Sequence, residues 1–306
     1  MTTLIDAAGV RDRLSMLGAI DALAAALGDG RPPAAPQRQA VDVNGATMLV
    51  MPAAGRSGAA GVKLVTLQPE NPSRGLPLLH GSYVLFRAGT LEPAAVIDGA
   101  ELTALRTAAI SGLATRMLAR DDARRLVVFG AGVQARSHVE AMLAVRDVEQ
   151  VTVVGRNPDA AAQLVLDLRS TGIDATVGAA AAVAEADLVC CCTTSAQPLF
   201  DGTLLREGAH VNAIGSYQPH TREIDTATVT RGSLAVDDRE AALAEAGDLQ
   251  LPIAEGAITT AAILADLPEL AGGAAVRRAA TDITVFKSVG AAWQDLIVAE
   301  ALISSE

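Results

Sequence analysis

A lysine inside an apolar strand and an arginine on the apolar stripe of a helix are the two residues here whose placement most demands chemistry. Lys63 sits in the run 61–67, Gly-Val-Lys-Leu-Val-Thr-Leu, where neighbours fall on opposite faces and both faces are otherwise apolar. An ammonium there is buried or lines a cleft, unless it snorkels from an edge strand, and burial is costly without an anion to meet it. Arg106 shares a helix face with Ile110, Leu113 and Met117, which follow at steps of four, seven and eleven residues. Guanidinium forks match carboxylates in a bidentate way, so Lys63 and Arg106 together are a candidate clamp for a small carboxylic acid.

A second group of residues suits a pyrophosphate. Residues 125–129 read as a buried strand that enters Gly130-x-Gly132-x-x-Ala135 and opens a helix. Gly130 permits the tight turn, Gly132 lets the backbone approach the anion, and Ala135 keeps the helix close to the sheet. Free amides of the first helical turn, at Val133, Gln134 and Ala135, meet the charge. The alternative is a glycine turn that binds nothing, and the correctly spaced second strand speaks against it. That strand ends in Val154-Gly155-Arg156-Asn157, with no acid for a ribose diol. Arg156 and Asn157 there favour a 2'-phosphate and hence NADPH, with NADH as the other candidate; Asp159 lies close, and a solvated surface arginine is the competing reading. Thr193, Thr194 and Ser195 follow a later strand at the sheet's carboxyl edge, where cofactor contacts belong, although loop polarity explains them almost as well. Ser288, in the turn 288–290, is counted with the cofactor contacts.

Holding these residues takes two frames. At 306 residues the chain suits two domains, since domains cluster near ~100 to 150 residues. Residues 17–28 are apolar at helical spacing and are broken by Asp29-Gly30-Arg31-Pro32-Pro33. Short runs at 40–43, 47–51, 61–67 and 82–86 read as a mixed or antiparallel sheet. Residues 101–120 read as a long amphipathic helix that bridges the domains. Strands at 126–129, 151–154, 188–192, 211–214 and 234–236 then alternate with helical stretches, which predicts a parallel, doubly wound sheet of Rossmann type. The tail 282–302 holds a Ser/Gly turn and a helix with Trp293, expected to pack back onto the first domain. The expectation is an α/β chain: residues 119–286 form the dinucleotide-binding domain, and 1–118 with 287–306 form a second, α+β domain for the substrate.

Composition removes several classes of function. A net charge of -11 and few aromatics argue against a nucleic-acid partner. No run of ~18 apolar residues is free of charge, and residues 1–10 lack a basic-then-apolar leader, so the expectation is a cytoplasmic protein without membrane contact. Cys190, Cys191 and Cys192 are consecutive, which suits neither a disulfide nor a metal cage, and they read as core residues. With four scattered histidines, no metal site is expected.

Taken together, Gly61-Val-Lys63, Leu102-Thr-Ala-Leu-Arg106-Thr-Ala-Ala109, Gly130-Ala-Gly132-Val-Gln-Ala135, Gly215 to Asp225 and Phe286-Lys-Ser288-Val-Gly290 resemble the ornithine cyclodeaminase and mu-crystallin family. The resemblance spans nearly the whole chain, and the segment around Arg106 is its most specific motif. It implies a homodimer built through the first domain, with substrate in the cleft between domains. The substrate carboxylate is then held by residues matching Lys63, Arg106 and, before the second strand, Arg38.

Departures from the family pattern point to a subfamily. Cyclodeaminases and related alanine dehydrogenases carry a loop resembling Gly-x-Asp-x-Pro-Gly-Lys whose aspartate is a general acid or base; Tyr217 stands there in this chain. A glutamate that cyclodeaminases carry before Met-Pro aligns with Leu49. The loop 215–225 is instead similar to that of bacterial ketimine reductases, which reduce pyrroline-2-carboxylate or piperideine-2-carboxylate to proline or pipecolate. This resemblance implies an NADPH-dependent reduction in which Lys63, or a water it orders, is the candidate proton donor and Tyr217 lines the pocket. Two rivals remain: a cyclodeaminase that retains NAD and releases ammonia, and a non-catalytic, crystallin-like protein that binds NADPH.

Overall fold

The computed structural model describes residues 2–304. They divide into two compact units, one holding residues up to 26, 31–107 and from 291 on, the other holding 27–30 and 108–290.

The first unit is built on a six-stranded sheet of β1 (Thr3–Ile5), β2 (Gln39–Val43), β3 (Ala46–Ala54), β4 (Ala60–Leu67), β5 (Leu79–Phe86) and β6 (Pro93–Asp98). The spatial order is β1-β6-β5-β4-β3-β2, antiparallel except for the β1–β6 pair. Alternation decides what each face carries. Leu49, Met51 and Ala53 of β3, Lys63 and Val65 of β4, and Tyr83 and Leu85 of β5 all point to the buried face. The register sets Met51, Lys63 and Tyr83 opposite one another in a single cross-strand row. The C-terminal helix, Ala292–Ser304, packs on β3, β4 and β5. Two helices, α1 (Ala7–Arg13) and α2 (Met16–Leu27), precede β2, and α3 (Gly99–Leu118) leaves β6 directly. Asp98 starts α3 by accepting from the amide of Glu101 at 2.8 Å, which satisfies one of the helix's free donors.

The second unit carries an all-parallel sheet: β7 (Arg125–Phe129), β8 (Gln150–Val154), β9 (Asp174–Val177), β10 (Leu188–Cys191), β11 (His210–Ala213), β12 (Gly232–Val236), β13 (Ile263–Asp266) and β14 (Ile283–Lys287). The helices among them are α4 (Val133–Val145), α5 (Pro158–Ser170), α6 (Thr226–Arg231), α7 (Arg239–Glu245), α8 (Gly247–Ala254) and α9 (Leu267–Ala271), which makes the C-terminal helix α10. Strand order is β13-β12-β14-β11-β10-β7-β8-β9. The chain therefore runs outward from β7 through β8 to β9, then returns to lay β10 on the other flank of β7. That reversal is the topological switch point of a doubly wound sheet, where ligands bind outside the carboxyl ends of the strands. Gly130 follows β7 with φ 111°, and a Cβ on it would fall 2.7 Å from the carbonyl oxygen of Cys192, so only glycine fits where the loops after β7 and β10 meet.

The parallel sheet, β2 to β5, α2 and the long helix follow the sequence expectation, and several short elements fall outside it. β1, β6, β9, β13 and α1 are only three to seven residues long, too short to show a period. β14 lies within the stretch read as a turn followed by a helix, because Ile-Thr-Val-Phe-Lys is buried at every position and shows no alternation. Cys190 and Cys191 are fully buried and unpaired in a disulfide, and Cys192 lies just beyond β10, half-buried. Among the described residues no helix is long and apolar enough to cross a membrane, and no cluster of three or more His, Cys, Asp or Glu could hold a metal ion.

Candidate functional site

Lys63 and Arg106 do come together in the first unit, and a residue that sequence reasoning missed joins them. Asp295, in the first turn of α10, is fully buried. The Lys63 Nζ lies 2.9 Å from each of its carboxylate oxygens, and the Arg106 Nε lies 3.0 Å from Oδ1. Arg106 also donates through Nη1 to the Oε1 of Gln294 at 2.7 Å. The anion that burial of Lys63 requires is thus supplied from within the chain.

One carboxylate between two cations leaves the cluster with one surplus positive charge. Lys63 shows the strain of that arrangement: burial and the neighbouring Arg106, partly offset by Asp295, push its ammonium down to about 7, and the charge of Arg38 adds to the push. Arg38 itself is half-buried immediately before β2, so its charge falls on the same lysine. Tyr83, opposite Lys63 in the ladder, has a buried hydroxyl without a hydrogen-bond partner among the described residues. Burial and the charges of Asp295 and Glu300 push that phenol well up, so it stays protonated. Leu49, two residues before Met51 on the same buried face, pairs with Val65 and is an apolar neighbour.

In the second unit, the glycine turn meets the needs of a dinucleotide. A Cβ on Gly132 would meet nothing within 4 Å, so the backbone lies open to an approaching group. Gly132 is also the N-cap of α4 and provides no side-chain cap, so the amides at Val133, Gln134 and Ala135 are not satisfied that way. Val133 is exposed, Ala135 is fully buried, and the Oε1 of Gln134 is buried with no partner among the described residues. Free donors and an open backbone fit the pyrophosphate of a bound dinucleotide.

The remaining expected cofactor residues are placed less uniformly. Arg156 is exposed beyond the end of β8 and forms no ion pair or hydrogen bond among the described residues. Asn157 spends its Oδ1 on the amides of Asp159 and Ala160 as the N-cap of α5, so its side chain belongs to the helix. Thr193 donates its amide and hydroxyl to Glu223, at 2.7 Å each. Thr194 is exposed in the same loop. Ser288 is buried and donates to the Oδ2 of Asp237 at 2.7 Å. Tyr217 is half-buried and packs on the hydrophobic core of this unit.

Asp295 and Gln294 could have been noticed as adjacent polar residues beside Trp293 at the start of a mostly apolar helix. The pairing itself spans 232 residues to Lys63 and 189 to Arg106, beyond any local pattern. Removing Asp295 strands two buried cations, and breaking a buried pair in this way costs roughly 3–5 kcal/mol. Asp295→Ala is therefore expected to lower the unfolding free energy by that amount, read as a lower urea midpoint at an unchanged slope; a midpoint equal to wild type would contradict the shared-carboxylate account.

The model of the ornithine cyclodeaminase/mu-crystallin family matches residues 2–305. A relative from Colwellia psychrerythraea, named Delta(1)-pyrroline-2-carboxylate reductase, is 38% identical over 249 residues, covering 79% of this chain and 79% of its own length. The solved structure of Thermococcus litoralis Delta(1)-pyrroline-2-carboxylate reductase in complex with NADH and L-proline superposes with a TM-score of 0.95 at 34% identity, over 99% of this chain and 97% of that one. An archaeal alanine dehydrogenase dimer with bound NAD superposes with a TM-score of 0.92 at 29% identity, over 99% of this chain and 95% of that one. The chain belongs to the ornithine cyclodeaminase/mu-crystallin family.

Proposed function

We propose that this chain is an NAD(P)H-dependent ketimine reductase that converts a cyclic 2-imino acid, pyrroline-2-carboxylate or piperideine-2-carboxylate, to L-proline or L-pipecolate. The observation that carries this reading is the buried cluster of Lys63, Arg106 and Asp295, whose surplus positive charge suits a small carboxylate. The activity named for its relatives, and the proline and NADH bound by the Thermococcus enzyme, support the same conclusion.

When bound, a reduced nicotinamide supplies the hydride. The chain's own residues then have three tasks. Arg106 and Arg38 hold the carboxylate, which fixes the orientation of the imine. Lys63 donates the proton that the imine nitrogen needs, and is recharged from solvent. Tyr217 stands where other family members carry an acid, so no carboxylate base from that position takes part. The turn from Gly130 to Ala135 holds the pyrophosphate, with Thr194 and the backbones around Thr193 and Ser288 as further contacts. Arg156, charged and without a partner among the described residues, favours NADPH over NADH. The working form is a homodimer in the cytoplasm, assembled through the outer face of the first unit's sheet, where Leu4, Val41 and Leu64 are exposed.

A steady-state screen of cyclic imino acids with NADPH and NADH tests this reading directly. The wild type should reduce at least one of the two imines, and Arg106→Ala should lower kcat/KM by at least about a hundredfold, the scale of a lost charge-assisted contact at about 1.4 kcal/mol per tenfold. Ammonia release from ornithine or lysine without net cofactor turnover would establish a cyclodeaminase instead, and absence of any turnover would leave a binding protein. Lys63, which faces Arg106, Asp295 and Arg38, donates only while protonated. The kcat/KM profile should therefore fall as pH rises through about 7, and Lys63→Arg, whose guanidinium does not give up its proton there, should be slower, with no such limb in its residual activity. Arg156→Ser should raise the KM for NADPH and leave that for NADH nearly unchanged.

A further inference from the structure

Glu223, Asp248 and Lys287 are each fully buried, and none of them has a place in the chemistry just described. All three belong to the carboxyl edge of the parallel sheet. The Oε1 of Glu223 accepts from both the amide and the hydroxyl of Thr193 at 2.7 Å, and its Oε2 accepts from the amide of Gly215 at 2.6 Å. Thr193 stands in the loop after β10 and Gly215 in the loop after β11, so one carboxylate grips two loops. The hydroxyl of Thr193 accepts from the amide of Ser195, which commits its own hydrogen to Glu223.

Asp248 holds Glu223 in turn. Its Oδ1 accepts from the amides of Glu223 and Ile224 at 2.7 and 3.0 Å, and its Oδ2 lies 2.7 Å from the Nζ of Lys287. Lys287, the last residue of β14, also donates to the backbone oxygen of Ser216, next to Gly215. The two loops are in direct backbone contact, since a Cβ on Gly215 would fall 1.9 Å from the carbonyl oxygen of Thr193. A buried ionic network that only stabilised the fold could lie anywhere; this one fixes two loop backbones at the edge where doubly wound sheets receive their ligands.

We propose that Glu223 is a positioning residue for the nicotinamide end of the dinucleotide, clamping Thr193 to Gly215 so that both loop backbones are set before the cofactor arrives. The inference rests on the dinucleotide-binding reading. Preorganisation of this kind affects the part of a ligand that lies on the clamped backbone and spares parts held elsewhere, here the pyrophosphate at the turn from Gly130 to Ala135.

Glu223→Gln provides the test, because it keeps the shape but offers one carbonyl and one amide group where three donors must be met. Binding of NADH is followed by its fluorescence, binding of ADP-ribose, which lacks the nicotinamide, by calorimetry, and turnover in the steady state. The variant is expected to bind ADP-ribose within about twofold of wild type, while NADH binds at least about fivefold more weakly and kcat falls at least about tenfold, the scale of one lost bond to a charged acceptor. Unchanged NADH affinity and kcat would overturn the proposal, as would parallel weakening of both ligands, which signals a general loosening. If Glu223→Gln does not fold, Thr193→Val removes one of the three donors and should shift the same two ratios by a smaller factor; no shift overturns the proposal. Wild-type protein that binds neither NADH nor ADP-ribose would overturn the dinucleotide reading itself, and this inference with it.

Discussion

A single carboxylate shared by an ammonium and a guanidinium is the constraint on which the first unit depends. Lys63 comes from a strand, Arg106 from a helix and Asp295 from the last helix of the chain, and all three are out of water. Two buried cations without the acid would repel each other and lack hydration, whereas complete neutralisation would leave no attraction for an anionic ligand. One acid for two bases lies between these limits. The need for Asp295 also explains why the C-terminal segment returns to the sheet that the N-terminal residues build, after the whole parallel sheet has been completed.

The second unit uses the same device for a different end. Lys287, like Lys63, is a lysine on an apolar strand, and its partner Asp248, like Asp295, comes from the first turn of a helix distant in sequence. At Lys63 the network leaves charge over, with two cations on one carboxylate. At Lys287 the ammonium, the aspartate and the loop carbonyl occupy one another, and Glu223 passes the order outward to two loops. One arrangement suits a residue that meets a ligand, and the other suits a scaffold that holds still.

Much of this was legible in the sequence, and the boundary follows physical lines. The parallel sheet could be read because β7, β8, β10, β11 and β12 are apolar runs with helical stretches between them, and the glycine turn because Gly130 and Gly132 do jobs that few other residues can. Lys63 and Arg106 stood out because charge at an apolar position is a local anomaly. The same reasoning applied to Ile-Thr-Val-Phe-Lys would have singled out Lys287, but that run was read as part of the tail. Asp295, Glu223 and Asp248 escaped because an acid in a loop or at a helix start is ordinary, and becomes significant only with the partner that folding delivers. The side chains of Asn157, Thr193 and Ser288 look like ligand contacts by type and position, yet the structure commits them to a helix cap, to Glu223 and to Asp237.

The two adjacent thiols of β10 carry one more consequence. Burial pushes Cys190 up to about 12 and Cys191 well above its ordinary range, so neither forms the thiolate that reacts with electrophiles. Being neighbours on a strand, they face opposite sides of the sheet and have no route to each other. The central strand of the nucleotide-binding sheet is therefore indifferent to alkylating reagents and to disulfide exchange for as long as the sheet remains closed, and modification of either sulfur reports that it has opened.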